Sequence, residues 1–279
     1  MEANVWALFA IGLAAGFVGS LLGLGGGFFV IPLLTLALGL PIQVAFGTSI
    51  VGVVATSGMA SITYLKQRLA NVRLALVLES VTTVGAVGGA ILMSYFSQQV
   101  LGAVFGSVMI YVAYNMARQK AGIQPRPPGD TTAPDPLDAA FYDRSQDRVI
   151  HYRVRRLPYG MAASVFAGLI SGLLGVGGGV IKVPVMNLIM SIPVKAAIAT
   201  STFTLGITAT ASVFIYYFRG FIHPGVAAPV VIGIAAGALA GARVAWRASG
   251  HSLRIVFAGI LGVMALLMFL KALGIGLTG

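Results

Sequence analysis

Two charged residues inside apolar stretches of the sequence could do chemistry, and Lys182 is the first. It comes three residues after a glycine run that ends at Gly179, and apolar residues surround it. A lysine within a membrane segment costs about 2.5–3.5 kcal/mol on insertion scales, and such residues generally mark a functional site. Its ammonium group could bind an anion. The alternative is that the side chain extends to the membrane interface and binds nothing.

Glu79 is the second, and it is the one acidic residue in an apolar stretch. Three roles are open to its carboxylate. It could exchange a proton, pair with a cation such as Lys182, or form a local salt bridge with Arg73. The short separation in sequence favours the bridge to Arg73. Glu79 is nevertheless the candidate coupling residue, whose carboxylate would take up and release a proton, because no other carboxylate lies in an apolar segment.

The glycine run before Lys182 is the second copy of a motif. The sequence GLGGG at 23–27, followed by Pro32, recurs as GVGGG at 175–179, followed by Pro184, at an offset of 152 residues. With that offset, 14 of the 35 positions from 15 to 49 match their counterparts at 167–201. The chain is therefore one unit built twice. In a membrane protein, glycine- and proline-interrupted segments at matching places in two halves indicate a transport site.

The repeated motif could bind an anion through its backbone. If a helix begins after each glycine run, its first amides have no partner within the helix and lie at the positive end of its dipole, which attracts anions. Alternatively, the glycines only let helices pack closely. The duplication favours binding. The candidate binding residues are Gly25, Gly26, Gly27, Thr48, Ser49, Gly177, Gly178, Gly179, Lys182, Thr200 and Ser201.

Composition places the chain in a membrane. It is 58% hydrophobic and 9% charged, whereas soluble domains carry about 25% charged residues. Cysteine is absent and the three histidines are scattered, so disulfides are excluded and we expect neither a metal site nor a cofactor. The net charge of +11 fits basic cytoplasmic loops better than nucleic-acid binding.

Ten apolar segments form two sets of five, separated by a polar region. The second segment of each set has about 14 residues, too few to span comfortably at 1.5 Å per residue, so the first two segments of each half are interpreted as a broken or re-entrant helical hairpin. The segments lie at 4–22, 26–39, 44–65, 73–96 and 98–117, and at 157–174, 178–191, 195–218, 224–246 and 252–273.

This pattern predicts an all-α polytopic membrane protein. The first transmembrane repeat is 1–118, a cytoplasmic Pro-rich linker is 119–156, and the second transmembrane repeat is 157–279. Within the linker, a short helix is expected at 137–145.

Basic residues predict the orientation. Lys66, Arg68 and Arg73 flank one short turn, and other basic clusters flank the linker and the turn after Arg243. If all three face the cytoplasm, as the excess of Lys and Arg in cytoplasmic loops predicts, the third segments of the two halves run in opposite directions. The repeats are then inverted and both chain ends are outside. Inverted repeats hold substrate near the midplane between them.

The duplicated motif, AGFVGSLLGLGGGFFVIPLL and AGLISGLLGVGGGVIKVPVM, resembles that of the TauE/SafE sulfite and sulfonate exporter family, also called TSUP. The resemblance covers nearly the whole chain, with the Pro-rich linker as the variable part. It implies a multi-pass permease of the bacterial or archaeal inner membrane, a secondary transporter that exports small organosulfur anions such as sulfite or sulfonates.

The residues themselves also favour an anion, and a sulfonate suits them because its three oxygens accept hydrogen bonds while it carries a single charge. A dianion such as sulfoacetate would need a second cation, for which Lys195 and Arg243 are the candidates.

Other functions stay open at this point. The chain could be an anion channel, or an importer of other small anions such as sulfate, thiosulfate or carboxylates. An enzyme is disfavoured because the apolar segments hold almost no catalytic side chains. The expected partners are a small anion and the lipid bilayer, without nucleic acid. A homodimer is suggested by the faces Gly85-x3-Gly89 and Gly237-x3-Gly241, which could equally pack helices within one chain.

Overall fold

The computed structural model describes residues 4–22, 26–118, 136–143, 147–245 and 250–272. Within these ranges the chain is almost entirely helical, which confirms the predicted all-α class. The elements are α1 (Val5–Leu22), α2 (Gly27–Pro32), α3 (Ile42–Lys66), α4 (Val72–Met93), α5 (Gln98–Arg118), β1 (Ala139–Asp143), β2 (Arg148–Tyr152), α6 (Leu157–Leu174), α7 (Gly179–Pro184), α8 (Val194–Phe218), α9 (Pro224–Ala245) and α10 (Gly250–Ala272). Among these, α3, α4, α6, α8 and α9 are long and apolar enough to cross a membrane.

The helices of the second half repeat the bounds of the first half. Adding the 152-residue offset of the glycine motif to the ends of α1, α2, α3 and α4 gives the ends of α6, α7, α8 and α9, and α10 begins 152 residues after α5. The sequence duplication is therefore also a duplication of local structure.

α2 and α7 are the short, interrupted helices. Each has six residues and contains a proline in its last position, and each continues as a five-residue π-helical turn, Leu33–Ala37 and Val185–Ile189. A proline has no N–H to donate and its ring crowds the preceding turn, so the wider π turn follows directly. These elements fall in the two segments that the sequence predicts to be too short to span.

The two halves pack on each other reciprocally. α1 lies along α9 while its counterpart α6 lies along α4, α3 packs on α8, and α5 packs on α10. Glycines make the first two contacts close: Gly85 and Gly89 of α4 lie against the backbone of Val165 and Leu169 on α6. Their counterparts in the second half lie against α1 in the same way. These small-residue faces therefore pack helices within the chain, which was the alternative to a homodimer contact.

Contacts between the halves also give the directions of the helices. Where residue numbers rise together along an interface, the two helices run parallel. By this criterion α1 and α3 are parallel to α9, and α4 is parallel to α6 and α8. For α1 and α9 the contacts are Gly12 with Val230 and Gly16 with Ile234, and for α3 and α9 they are Gly47 with Phe221, just before α9, and Gly52 with Ile234. For α4 and α6 they are Gly85 with Val165 and Gly89 with Leu169. For α4 and α8 they are Asn71 with Thr200 and Glu79 with Thr208.

Two buried tyrosines form matching bonds in the two halves. The Tyr64 hydroxyl donates to the carbonyl oxygen of Ser20 at 3.0 Å, and the Tyr216 hydroxyl donates to that of Gly172 at 2.9 Å. Both donor and acceptor positions differ by 152 residues. Each bond ties the third helix of a half to the first helix of the same half, so we assign these tyrosines a structural role.

The linker contains a β-hairpin where the sequence led us to expect a helix at 137–145. β1 pairs antiparallel with β2, with Phe141 opposite Ile150. Alternate residues on one face are buried, and they join Val183 and Met186 in one apolar cluster. The helix prediction was wrong because aromatic and β-branched residues at every second position favour a strand with one buried face. Residues 119–135 and 144–146 of the linker lie outside the described ranges.

Polar bonds fix the hairpin to the start of α4. The Asn71 side chain accepts a hydrogen bond from the Leu74 amide at 3.1 Å, capping the helix, and donates to the Leu137 carbonyl oxygen at 2.8 Å. Burial raises the pKa of the Tyr152 phenol to about 12, and its hydrogen bond with Asn71 acts in the opposite direction. The Tyr152 hydroxyl is therefore neutral at physiological pH.

We predict that Gly89→Ala destabilises the protein while Gly88→Ala does not. A Cβ at position 89 would overlap the carbonyl oxygen of Leu169, whereas one at 88 would have nothing within 4 Å. Overpacking of this kind costs about 1–3 kcal/mol, whereas alanine at an open helical site is favoured over glycine by up to about 1 kcal/mol. Thermal unfolding in detergent measures both. Equal unfolding midpoints for the two variants would contradict the close packing of α4 on α6.

Candidate functional site

The two glycine motifs meet in the structure. A Cβ on Gly27 would lie 3.2 Å from Cα of Val176 and 3.3 Å from the carbonyl oxygen of Gly175. The Ser49 hydroxyl donates to that same oxygen at 2.7 Å. Candidates from α3 and from the first glycine motif thus touch the second motif directly. Gly25 lies outside the described residues.

The short helices begin at matching glycines. The amides of Phe29 and Val30 bond to the carbonyl oxygen of Gly26 at 3.0 and 3.3 Å. In the second half, the amides of Ile181 and Lys182 bond to that of Gly178 at 3.2 and 3.0 Å. Helical bonding therefore starts directly after each motif. Gly177, with φ +73°, holds a backbone conformation that side chains rarely adopt, against Val53 and Leu205.

Lys182 is buried and bonded to Glu79. Its Nζ lies 2.8 Å from Oε2 of Glu79, and the two residues are 2% and 3% exposed. The alternative that Lys182 extends to the membrane interface is therefore not what the structure shows. Two buried charges of opposite sign satisfy each other here, and the pair as a whole is neutral.

Threonines complete the network around this pair. Lys182 Nζ donates to Thr204 Oγ1 at 3.2 Å, and the Thr204 hydroxyl donates to the carbonyl oxygen of Ser201 at 2.9 Å. Glu79 Oε1 accepts from the hydroxyls of Thr208 and Thr83, the latter at 3.1 Å. The carboxylate thus accepts three bonds, all inside the protein, and the network draws on α4, α7 and α8.

The expected bridge between Glu79 and Arg73 is not present. Six residues along a helix turn the side chain by about 600°, so positions 73 and 79 point about 120° apart. Glu79 faces α7 and α8, while Arg73 is on the exposed side and its Nη1 donates to the carbonyl oxygen of Pro136 at 3.2 Å. Sequence separation alone was therefore a poor guide to the partner of Glu79.

The charged network spans both halves, with Glu79 from the first and Lys182 from the second, and it has no second copy at the symmetry-related positions. At the 152-residue offset, the positions of Lys182, Thr204 and Thr208 are occupied in the first half by Val30, Gly52 and Thr56, and that of Glu79 is matched by Val231. Thr56 bonds to its own helix, at the carbonyl oxygen of Gly52. The fold is duplicated, whereas the ion pair is not.

The remaining hydroxyl candidates divide into two groups. Thr200 Oγ1 accepts a hydrogen bond from the Asn71 amide at 3.0 Å and so holds α4 to α8. Ser49 is bonded to the second glycine motif, as described above. Thr48 Oγ1 and Ser201 Oγ are buried and have no hydrogen-bond partner among the described residues. Among the hydroxyl candidates, these two therefore retain an unused donor in the structure.

The two candidates for a second positive charge lie away from the pair. Lys195 forms a salt bridge of 2.7 Å with Asp143 of the hairpin, and its side chain is 47% exposed. Arg243, near the end of α9, is exposed. Neither is placed beside Lys182.

Sequence reasoning missed Thr83, Thr204 and Thr208. Their signal was present: Thr200, Thr204 and Thr208 recur every four residues in α8, and Glu79 and Thr83 are also four apart. Residues at this spacing share one face of a helix. Two polar stripes in otherwise apolar segments predict that the helices face each other through them.

The arrangement can bind and release a small anion by exchanging partners. The ammonium of Lys182 is the charged donor to the carboxylate of Glu79, and the hydroxyls of Thr83 and Thr208 also donate to it. An anion that replaced this carboxylate would meet the same donors. A buried ammonium needs such a counter-charge, because an unpaired charge in a low-dielectric interior is costly.

Comparisons with known proteins agree with a membrane transporter. The family model described as "Sulfite exporter TauE/SafE" matches residues 8–268. The "Probable membrane transporter protein YunE" of Bacillus subtilis is 29% identical over 77% of this chain and 79% of its own length. A "Probable membrane transporter protein" of Methanocaldococcus jannaschii is 27% identical over 94% of both chains. No solved structure matches.

We predict that Glu79 and Lys182 are strongly coupled in stability. Glu79→Gln or Lys182→Met alone leaves a buried charge without its partner, which costs about 3–5 kcal/mol. The double variant removes both charges, so it should lose much less than the sum of the two. Unfolding free energies of the four proteins in detergent measure the coupling.

The comparison pair is Lys195 and Asp143, in which the lysine side chain is 47% exposed and the aspartate side chain is 4% exposed. Because water reaches the lysine, the same cycle with Lys195→Met and Asp143→Asn should give a smaller coupling than the fully buried pair. Additive effects of Glu79→Gln and Lys182→Met would show that the pair contributes nothing as a pair.

Proposed function

The chain belongs to the sulfite exporter TauE/SafE family, and we propose that it is a secondary transporter that exports small organosulfur anions such as sulfite or a sulfonate. The family and the names of its relatives indicate a membrane transporter rather than an enzyme. The observation that carries the anion assignment is Lys182, a buried ammonium on an interrupted helix at the contact between the two halves.

A small oxyanion matches the donors around Lys182. Its oxygens can accept from the ammonium, and the hydroxyls of Ser201 and Thr48 have no hydrogen-bond partner among the described residues. The glycine motifs bring backbone close to this centre without side chains in the way. We therefore place the anion between the glycine motifs, with Lys182 as its charged contact.

The directions of the helices support inverted repeats and alternating access. Residues 67–71 join α3 to α4, and five residues span at most about 18 Å. α3 has 25 residues and is about 37 Å long, so in a membrane α4 must run back antiparallel to it. Because α9 is parallel to α3 and is the counterpart of α4, the counterparts α4 and α9 run in opposite directions. Inverted repeats of this kind support alternating access around a central site.

Basic residues then orient the protein in the bacterial inner membrane. Lys66 is the last residue of α3 and Arg68 follows it, Arg243 lies near the end of α9, and Lys195 of α8 binds the hairpin. These belong to the same side if α3 and α9 run inward while α8 runs outward. The positive-inside rule makes that side cytoplasmic, which places the hairpin inside and both chain ends outside.

The contact between the glycine motifs favours a carrier over a channel. A Cβ on Gly27 would lie 3.2 Å from Cα of Val176, so the two motifs are in tight contact in this state. A channel needs a continuous hydrated path, and this contact lies across the centre where such a path would run. A carrier closes its centre in part of its cycle.

We predict that Lys182→Met abolishes anion transport. Truncating one partner of a buried charge contact costs about 2–5 kcal/mol, or roughly 30-fold or more in affinity. Uptake of sulfite and of methanesulfonate into proteoliposomes measures it, and Lys195→Met is the control because Lys195 binds the hairpin instead. A folded Lys182→Met protein that transports both anions at the wild-type rate would remove Lys182 from the site.

We also predict opposite accessibility for two engineered cysteines. The natural sequence has none, so Trp6→Cys and Val149→Cys each create a single labelling site, and the natural side chains are 79% and 55% exposed. An impermeant maleimide should label position 6 in intact cells with a permeable outer membrane and position 149 only in inverted vesicles. Labelling of both positions from one side would contradict the proposed orientation.

A further inference from the structure

We propose that this protein carries one proton together with each anion, that Glu79 holds the proton, and that the transported anion is monovalent. The inference rests on the transporter function proposed above and specifies its substrate class and coupling. It follows from the groups that contact the ammonium of Lys182 in the structure. It also follows from which other charged groups lie near enough to replace those contacts.

The ammonium of Lys182 is already engaged by a carboxylate. Oε2 of Glu79 lies 2.8 Å from it, and the lysine is 2% exposed, so solvent does not reach the group. An anion can contact this ammonium only after the carboxylate has moved away or lost its charge. The two anions therefore compete for one cation.

A proton on Glu79 removes the competition. If both the ionised carboxylate and the anion occupied the site, two negative charges would face one positive charge in a low-dielectric interior, which is strongly unfavourable. When the carrier opens to one side, a proton from the water there makes the carboxylate neutral, and its ion pair with Lys182 ends. The site then holds one ammonium, one neutral acid and one anion, with no net charge.

The cycle returns to its start when both leave. After the anion dissociates, the ammonium has no counter-charge, so Glu79 gives its proton to water on that side and its carboxylate pairs with Lys182 again. No bond other than O–H is made or broken. The hydroxyls of Thr83 and Thr208 hold the ionised carboxylate in place between turnovers.

No other titratable side chain is bonded to Glu79 among the described residues. The helices that pack around it contribute few such groups, and each has a different environment. Arg73 of α4 bonds to Pro136, Tyr159 of α6 is exposed, Lys195 of α8 binds Asp143, Tyr216 of α8 bonds to Gly172, Tyr217 of α8 is exposed, and Tyr152 of the hairpin bonds to Asn71. The proton balance of the site is therefore that of Glu79 and Lys182.

The same charge count selects a monovalent anion. With Glu79 neutral, Lys182 supplies a single positive charge, and Lys195 and Arg243 lie elsewhere. A dianion would leave one negative charge unbalanced in the buried site. Sulfonates with one acidic group and the hydrogen form of sulfite fit this requirement, whereas disulfonates do not.

Coupling of one proton to one monovalent anion determines which gradients drive net transport. A proton and a monovalent anion together are neutral, so the membrane potential does not act on the loaded carrier. Direction depends on the product of proton and anion concentrations on each side. Against an inward gradient of one pH unit, net export therefore begins only when the anion is about tenfold more concentrated inside, by linkage of the two ligands.

Uptake into proteoliposomes tests the proposal. The probe is methanesulfonate, which stays monovalent at all pH values used, and ethane-1,2-disulfonate is the dianion for comparison. With the potential clamped by potassium and valinomycin, acidifying the outside by one pH unit should raise wild-type methanesulfonate uptake up to about tenfold. Changing the potential at equal pH should leave it unchanged, and the disulfonate should not be taken up.

Variants separate coupling from binding. Glu79→Gln resembles the protonated acid, so methanesulfonate uptake should lose its response to the pH gradient and become sensitive to the potential. Its rate should fall, because the empty carrier must return with Lys182 unpaired. Asp143→Asn, a carboxylate variant outside the site, should keep the wild-type response. If Glu79→Gln does not fold, Thr208→Val serves instead: losing a hydrogen bond to the ionised carboxylate should move the pH midpoint of uptake upward.

The results distinguish failure of this inference from failure of the transporter assignment. Wild-type methanesulfonate uptake that ignores the pH gradient or responds to the potential overturns proton coupling while leaving transport intact. A pH response that survives Glu79→Gln assigns the proton to another group. Disulfonate uptake overturns the monovalent class. Absence of both sulfite and methanesulfonate transport under every gradient overturns the proposed function itself, and the inference with it.

Discussion

The contact between Lys182 and Glu79 is the interaction on which the centre of this protein depends. Each partner would be too costly to bury alone, and each lies on a different kind of element. Glu79 is on α4, a continuous helix, whereas Lys182 is on α7, a helix of six residues that starts after a glycine motif and ends in a π turn. The pair therefore joins a rigid element to an interrupted one at the interface between the halves.

The duplicated fold provides a symmetric scaffold around an ion pair to which the two halves contribute opposite charges. Helix bounds, the close glycine contacts and the tyrosine bonds are repeated at the same offset, so the packing of both halves follows the same physical rules. The ion pair joins the two halves but occurs once, because Val30 and Val231 stand at the matching positions. Symmetric packing therefore surrounds an asymmetric site, in which the first half supplies the carboxylate and the second half the ammonium.

The sequence predicted the parts of the structure that follow from composition and from the spacing of apolar segments and repeated motifs. Continuous apolar segments, glycine motifs and prolines specify helices and their interruptions locally, so the short helices and the buried Lys182 could be placed in advance. The partner of Glu79 could not, because it depends on which face of α4 meets α7 and α8. The hairpin was missed because the helix prediction considered only neighbouring residues. The strands form because Phe141 pairs with Ile150 and both are buried in one apolar cluster.

The position of the pair also ties its protonation to the packing around it. Val183, directly after Lys182, is buried in the same apolar cluster as Phe141 and Tyr152 of the hairpin, while Leu78, directly before Glu79, belongs to it from the side of α4. A shift of α7 away from α4 would lengthen the ion pair and disturb this cluster at the same time. Loss of the pair on protonation removes the attraction that opposes such a shift. The charge state of Glu79 and the position of α7 therefore depend on each other, and the hairpin contributes to this coupling through its buried face.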